Sequence, residues 1–432
     1  MAVNTHGAAD SKFARIQQWQ RGETPGPWEM QVHPTNRCNL KCKICWERRA
    51  EIEIGPSIYD KRQEVSDARY LHLVDEAAEL GVREWSIVGG GEPMVRADLV
   101  LAMCERICAR GMNGAVHTNA TRFKPEHFDR LIAAGWWQIN LSLDGPNQEL
   151  NDAIRGGGFE KAVANIKLLN QMKREAGAGF PRVRMNPVIT NITWDRLEEL
   201  VDLAHELECE CLGFSHLVFE SDDEPGTAFR LNAEQMRQTP AMIARAAERA
   251  KELGLHSNFT SFETGSTADV GAHAIGRTRY GDGRMSDANC FETWLSCVVH
   301  VDGRVGPCCV SYEADSDNIK DASLRDVWLG PYMQSVRERI TGDNLMSYCA
   351  GCPTYITPRT EEIRHELSRQ RWREWAAMPL GERLRLAAGV WRENLRQRGL
   401  RATLGRAWRW VRVRKARREA AQAATQERTN PQ

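Results

Sequence analysis

"WEMQVHPTNRCNLKCKIC", residues 28–45, passes from an alternating stretch ending at His33 into a polar loop that carries three thiols, Cys38, Cys42 and Cys45. A strand that delivers closely spaced metal-seeking side chains at its end fits an α/β protein, where ligands gather at the carboxyl ends of parallel strands. Five further apolar runs follow: "EWSIV" (84–88), "NGAVH" (113–117), "WQINLSL" (137–143), "RVRMNPVI" (182–189) and "LGFSHLVF" (212–219). Between them "DARYLHLVDEAAEL" (67–80), "FEKAVANIKLLNQMKREA" (159–176) and "TWDRLEELVDLAHEL" (193–207) carry apolar residues at three- and four-residue spacing, the period of amphipathic helices. This alternation predicts a parallel sheet with right-handed crossovers. Six units predict an incomplete barrel or an open α/β sheet over residues 28–220.

A chain of 432 residues accommodates two or three domains at roughly 100–200 residues each, and needs no disulfides to hold a core. Residues 1–27 form a polar leader without a secretory or membrane-spanning pattern, and no later run approaches the roughly 20 apolar residues of a span. Thirteen cysteines without an export signal predict a reducing, cytoplasmic setting, where thiols bind metals or do chemistry. Residues 221–288 read as a connection with one helical stretch at 233–254. A compact cysteine-rich segment, 289–355, comes next. The formal net charge is zero, but residues 356–432 hold 19 Lys and Arg against 8 Asp and Glu, an excess of +11 that the first 355 residues offset. Within that tail "LRATLGRAWRWVRVRKARR" (400–418) sets Leu400, Leu404, Trp408 and Val411 at helical spacing among arginines. Such a basic amphipathic helix can lie on an anionic membrane surface, here the inner face, or pack on protein; nucleic acid is the weaker partner.

Thiolates spaced like Cys38, Cys42 and Cys45 hold iron–sulfur clusters or zinc, because several sulfurs must converge from a loop able to wrap the site. Zinc would want a fourth ligand, for which His33 is in reach, and Cys42 with Cys45 also forms a redox-type CxxC. "RCNLKCKICWERR" is too polar for three inert core cysteines. Cys104 and Cys108, four apart on a helix, and Cys209 and Cys211, entering a strand, read instead as small apolar residues.

"CNLKCKIC" followed by "GGGEPM" (89–94) at the end of the second strand resembles the radical SAM superfamily, whose CxxxCxxC loop binds a 4Fe-4S cluster with one iron left for S-adenosylmethionine. The resemblance implies that Cys38, Cys42 and Cys45 ligate this cluster. It also implies that Gly89, Gly90, Gly91, Glu92 and Pro93 meet the methionine amino group, with Glu92 as its acceptor. Glycines suit such a close backbone approach. Ser142 and Asp144 in "SLDGPN" (142–147) match polar groups that relatives use around the cofactor ribose, or else form an ordinary Asp-Gly turn. Asn119 in "HTNAT" (117–121) faces the site or closes a turn. Where many relatives place an aromatic residue before the last cysteine, this chain has Ile44, with Trp46 just beyond.

From Cys290 the chain reads "CFETWLSCVVHVDGRVGPCC" and ends its cysteine group with "CAGC" at 349–352. A turn at "DGR" (302–304) between two ligands would suit a cluster held by a hairpin and a later loop, with structural zinc as the alternative. The segment resembles the SPASM and Twitch extensions of radical SAM proteins. That resemblance implies one auxiliary 4Fe-4S cluster on Cys290, Cys308, Cys349 and Cys352, the Twitch arrangement, with Cys297 or Cys309 able to replace a ligand. The implied fold is a partial (βα)6 radical SAM barrel with a small cysteine-rich Twitch/SPASM-like domain and a helical C-terminal tail.

The implied reaction is reductive cleavage of S-adenosylmethionine and hydrogen abstraction by a 5′-deoxyadenosyl radical, with the auxiliary cluster as electron acceptor. The electron donor would be a flavodoxin or ferredoxin. Dehydrogenation of a sugar or aminocyclitol, free or lipid-linked, is the first expectation for the substrate, because the leader looks too short for a peptide-recognition domain. Peptide maturation is the second. A noncatalytic iron–sulfur scaffold would have no use for the Glu92 turn. Arg155 in "DAIRGG" and His216 are the candidates for a catalytic base or clamp.

Overall fold

The computed structural model describes residues 11–45, 60–217, 225–259, most of 288–351 and 356–383. Its strands open as the alternation predicts. In β1 (Glu29–Val32), β2 (Glu84–Ile87), β3 (Asn113–Thr118) and β5 (Arg182–Met185) every second residue is buried. Met30, Val32, Trp85, Ile87, Val116, Val183 and Met185 thus enter one core with Ile139 and Leu141 of β4 (Gln138–Leu141). The helical layer supplies the other half of that core from α2 (Asp67–Glu79), α3 (Ala97–Ala109), α4 (Pro125–Ala134), α6 (Phe159–Glu175) and α7 (Leu197–Glu206). Local chemistry sets the helix ends: Ser66 caps α2 through the Arg69 N–H, and Gly135, at φ +68°, closes α4 in the left-handed conformation that glycine adopts without strain.

The fifth and sixth runs, expected as single strands, each divide in two. β5 stops at Met185 and β6 (Val188–Ile189) leaves the main sheet to pair in parallel with β8 (Ser215–His216), while β7 (Cys211–Leu212) stays beside β5. Pro187 has no N–H to give a ladder. The Val188 N–H goes instead to the Asp144 carboxylate, 2.8 Å away.

Among the described residues the main sheet has nine strands in the order β11-β10-β1-β2-β3-β4-β5-β7-β9. Eight of them are parallel, the six expected over 28–220 and two from beyond it. The segment read as a connection forms α8 (Ala233–Glu252), which packs on α7, and β9 (His256–Ser257), which extends the sheet beyond β7. The cysteine-rich segment does not stand apart either. Its β10 (Ser296–Val299) runs parallel to β1 with Met30 opposite Cys297, and turns back into β11 (Val305–Gly306) through Gly303 at φ +89°. Residues 1–364 accordingly form one compact unit and residues 365–432 a second. The helix α12 (Ile356–Ala377) ends in the latter, and the stretch 400–418 lies outside the described residues. Among the described residues no helix is long and apolar enough to cross a membrane.

Candidate active site at the mouth of the barrel

The loop after β1 is held at every step. Tyr70 donates its hydroxyl to the His33 carbonyl (2.9 Å) and Arg96 its guanidinium to the Pro34 carbonyl (2.6 Å). Thr35 and Arg37 both donate to the Glu64 carboxylate. Further on, Asn39 bridges to Thr121 (2.8 Å) and to Asn119 (3.2 Å), and the Lys43 N–H reaches the Ile154 carbonyl (2.8 Å). Cys38 is exposed, whereas Cys42 and Cys45 are half-buried. Among the described residues no three His, Cys, Asp or Glu side chains lie close enough to hold a single metal ion.

The glycine turn after β2 docks against this loop through two backbone hydrogen bonds, Gly91 N–H to Thr35 O and Glu92 N–H to Arg37 O. A Cβ at Gly91 would lie 2.2 Å from the Arg37 carbonyl oxygen, so only glycine permits that approach. Glu92 is 2% exposed and accepts from Thr118 Oγ1 (2.6 Å), Asn119 N–H (2.8 Å) and Met94 N–H (3.1 Å). Burial raises its pKa against those three donors. Its carboxylate therefore ties the end of β2 to the end of β3, while the turn itself lines the cavity. Asn119 closes a turn, accepting from the Thr121 N–H, and also lines the cavity beside Ser142.

Asp144 has no exposed surface. One oxygen takes the Val188 N–H and the other stands 2.7 Å from Arg155 Nε, so a ribose hydroxyl would reach it only by displacing that pair. Arg155, at the end of α5 (Gln148–Arg155), instead faces the cavity, and its charge opposes the upward shift that burial imposes on the Cys42 thiol. The cavity measures about 500 Å³ and is lined by the cysteine loop, Gly89–Glu92, His117, Asn119, Ser142, Arg155 and Val188. That volume suits a nucleoside-sized ligand. Three thiols, a glycine cradle and a guanidinium around one such cavity fit an iron–sulfur cluster with an amino-acid-bearing nucleoside.

Behind the cavity the inner face of the sheet is polar. Asn140 donates to His117 Nε2 (2.8 Å), Ser86 Oγ lies 3.1 Å from the same nitrogen, and Gln138 donates to Asn140 (2.7 Å). Burial and the nearby Arg184 lower the His117 pKa to about 4, which keeps the imidazole neutral. His117, Arg37 and Lys41 also line the cavity, beyond the residues that the motifs indicate. The signal was present: strands of a parallel sheet covered on both faces run continuously apolar, whereas these alternate. His216 falls on β8, outside the main sheet.

In the cysteine-rich segment the Glu292 N–H donates to Cys290 Sγ (3.4 Å). Burial first, then Tyr332, Cys308 and Cys349, push the pKa of the half-buried Tyr348 upward. Cys297 belongs to the sheet core at 0% exposure, where burial pushes its thiol up to about 12. Cys104 and Cys209 are buried in the same core. Cys352 lies outside the described residues.

Residues 32–204 match the Radical SAM superfamily, and residues 290–353 match SPASM, an iron-sulfur cluster-binding domain. Among curated proteins, the mycofactocin maturase MftC of Mycobacterium tuberculosis is 34% identical over 193 residues, 44% of this chain and 44% of that protein. The chain thus aligns with less than half the length of this relative. The AdoMet-dependent heme synthase of Nitratidesulfovibrio vulgaris is 28% identical over 318 residues, 70% of this chain and 77% of that protein. Among solved structures, Streptococcus suis SuiB bound to S-adenosylmethionine superposes with a TM-score of 0.54 at 18% identity, over 74% of this chain and 70% of that one. Native anSMEcpe with bound AdoMet and Cp18Cys peptide gives 0.53 at 15%, over 80% and 98%. At such identities the solved structures speak for the fold.

Proposed function

Because the chain belongs to the radical SAM superfamily and carries a SPASM iron–sulfur domain, we propose that it is a maturase that modifies a peptide at carbon. The observation that carries this reading is the single cavity onto which the cysteine loop, the glycine turn and Arg155 open, in front of a polar barrel interior. When bound there, the cluster and S-adenosylmethionine supply a 5′-deoxyadenosyl radical. Cys38, Cys42 and Cys45 hold the cluster, and the backbone of Gly89–Gly91 receives the cofactor's amino group. Arg155, fixed by Asp144, clamps an anionic group; as a guanidinium it stays protonated and does not serve as a base. Cys290, Cys308, Cys349 and Cys352 would hold an auxiliary cluster, whose chemistry there would be one-electron transfer.

The sugar or aminocyclitol substrate expected first draws no support from the relatives named above, and the peptide expected second does: the maturases, and solved structures bound to the precursor peptide SuiA and to Cp18Cys peptide. A tetrapyrrole is the second reading, favoured by the longer span shared with the heme synthase. Anaerobic incubation of the reconstituted protein with reductant, S-adenosylmethionine and parallel panels of peptides, tetrapyrroles and amino sugars tests the choice. Peptides should stimulate 5′-deoxyadenosine release and themselves change mass. Stimulation by tetrapyrroles or amino sugars alone would overturn the peptide assignment.

A further inference from the structure

Arg184 sits on β5 in the row His117–Asn140–Arg184 that crosses three adjacent parallel strands, on the face opposite the helices. The other polar groups of that row satisfy one another, Asn140 with His117 and with Gln138. Arg184 does not share in this. Its Nε donates to Asn186 Oδ1 (2.8 Å), and among the described residues no carboxylate pairs with the guanidinium. Its charge is felt at His117, which lines the cavity wall. The backbone next to it is kept bare for it, because a Cβ on Gly213, at the end of β7, would lie 2.4 Å from Arg184 Nη2. With its Nε edge engaged by Asn186 and its terminal Nη edge unused, on the polar inner face of the sheet, this guanidinium can bind a planar anion bidentately.

We propose that Arg184 is the specificity-determining anchor for a substrate carboxylate, seated in the row of the sheet that reaches the cofactor cavity at His117. Resting on the peptide reading, this places either a C-terminal carboxylate or an acidic side chain of the peptide against Arg184. The neutral His117 beside it leaves Arg184 as the single cation of the row. Asn140 and Gln138 add neutral hydrogen-bonding groups for the atoms next to the carboxylate. The anchored end would fix which carbon faces the thiol loop.

The test uses cluster-loaded protein saturated with S-adenosylmethionine and four probes followed by 19F NMR: 4-fluorobenzoate, a fluorinated pentapeptide with a free C-terminus, its amide, and the amide with an internal Glu. Wild type should bind the probes that bear a carboxylate at least about tenfold more tightly than the neutral amide, a charge-assisted contact being worth that much. R184Q should lose this difference and R184K retain part of it. G213A, which leaves the charge in place but crowds the guanidinium, should fall in between. Loss confined to the free C-terminus identifies the terminal carboxylate, and loss with the Glu peptide identifies a side chain. If fluorobenzoate discriminates and no peptide binds, the anchor stands and the peptide reading fails. If peptides bind wild type and R184Q alike, the peptide reading stands and the anchor is wrong. Absence of any carboxylate preference in wild type also overturns the anchor.

Discussion

Single residues at the barrel mouth bear loads that can be tested one at a time. Gly91 is where the cysteine loop and the glycine turn touch, and the 2.2 Å separation between its virtual Cβ and the Arg37 oxygen leaves no room for a methyl group. Gly91→Ala should part the two loops, so that reconstituted iron falls by about half while the auxiliary site stays loaded, since each 4Fe-4S site holds about four irons. Unchanged iron would show that the contact is dispensable. Glu92 joins two strand ends through three donors, and Glu92→Gln turns one acceptor edge into a donor facing an N–H or hydroxyl. We expect a loss of about 1–3 kcal/mol in chemical denaturation. The sequence motif suggested Glu92 as a ligand group, but a motif names a residue without showing which of its neighbours it already satisfies.

At the scale of elements, β1 and β10 lie far apart in the sequence and carry a histidine each just past their paired ends. His33 and His300 stack edge to face with ring centroids 5.3 Å apart, and His300 Nε2 donates to the Ser311 carbonyl (2.5 Å). Burial, with His300 adding to it, lowers the His33 pKa to about 3; burial also lowers that of His300 to about 4. Both pKa values lie below the unfolded value of about 6.5. The neutral pair therefore contributes its full stability above pH 6.5, and that stability is lost as pH falls towards 4 and then 3. The slope should reach up to ~1.4 kcal/mol per pH unit for each histidine. His300→Gln, which keeps a donor for Ser311, should flatten the dependence between pH 6.5 and 4.5. Parallel pH profiles of the two proteins in urea denaturation would contradict this account. The six parallel strands expected over 28–220 form, and further strands join from beyond it: whether a short run such as "LHSN" joins a sheet depends on a neighbour offering an edge, and β7 offers one to His256–Ser257.

For the whole molecule the continuity of the sheet matters most. The cysteine-rich segment adds β10 to the barrel edge, so the two sets of thiols belong to one compact unit rather than to domains joined by a linker. Iron should approach about eight atoms per chain on reconstitution, the sum of two 4Fe-4S sites. The variant Cys349→Ala, Cys352→Ala should retain about half of it. Such a variant should still cleave S-adenosylmethionine while failing to complete substrate oxidation, as product analysis would reveal. Iron near four in the unaltered protein would remove the auxiliary cluster from the scheme.

The sequence by itself determined the parallel α/β architecture, through two hydrophobic periods, and carried the resemblance that implies the cofactor chemistry, in thiols and glycines whose spacing is local and needs no distant partner. Even the polar barrel interior was written in alternating strands. Only the tertiary structure decided that Asp144 is spent on Arg155 and Val188, that Cys297 is core, that β9 and β10 extend the sheet, and that among the described residues no carboxylate pairs with Arg184. Each of these depends on which groups distant in sequence are brought within a few ångströms, where burial and pairing, rather than residue type, set what a side chain is available to do.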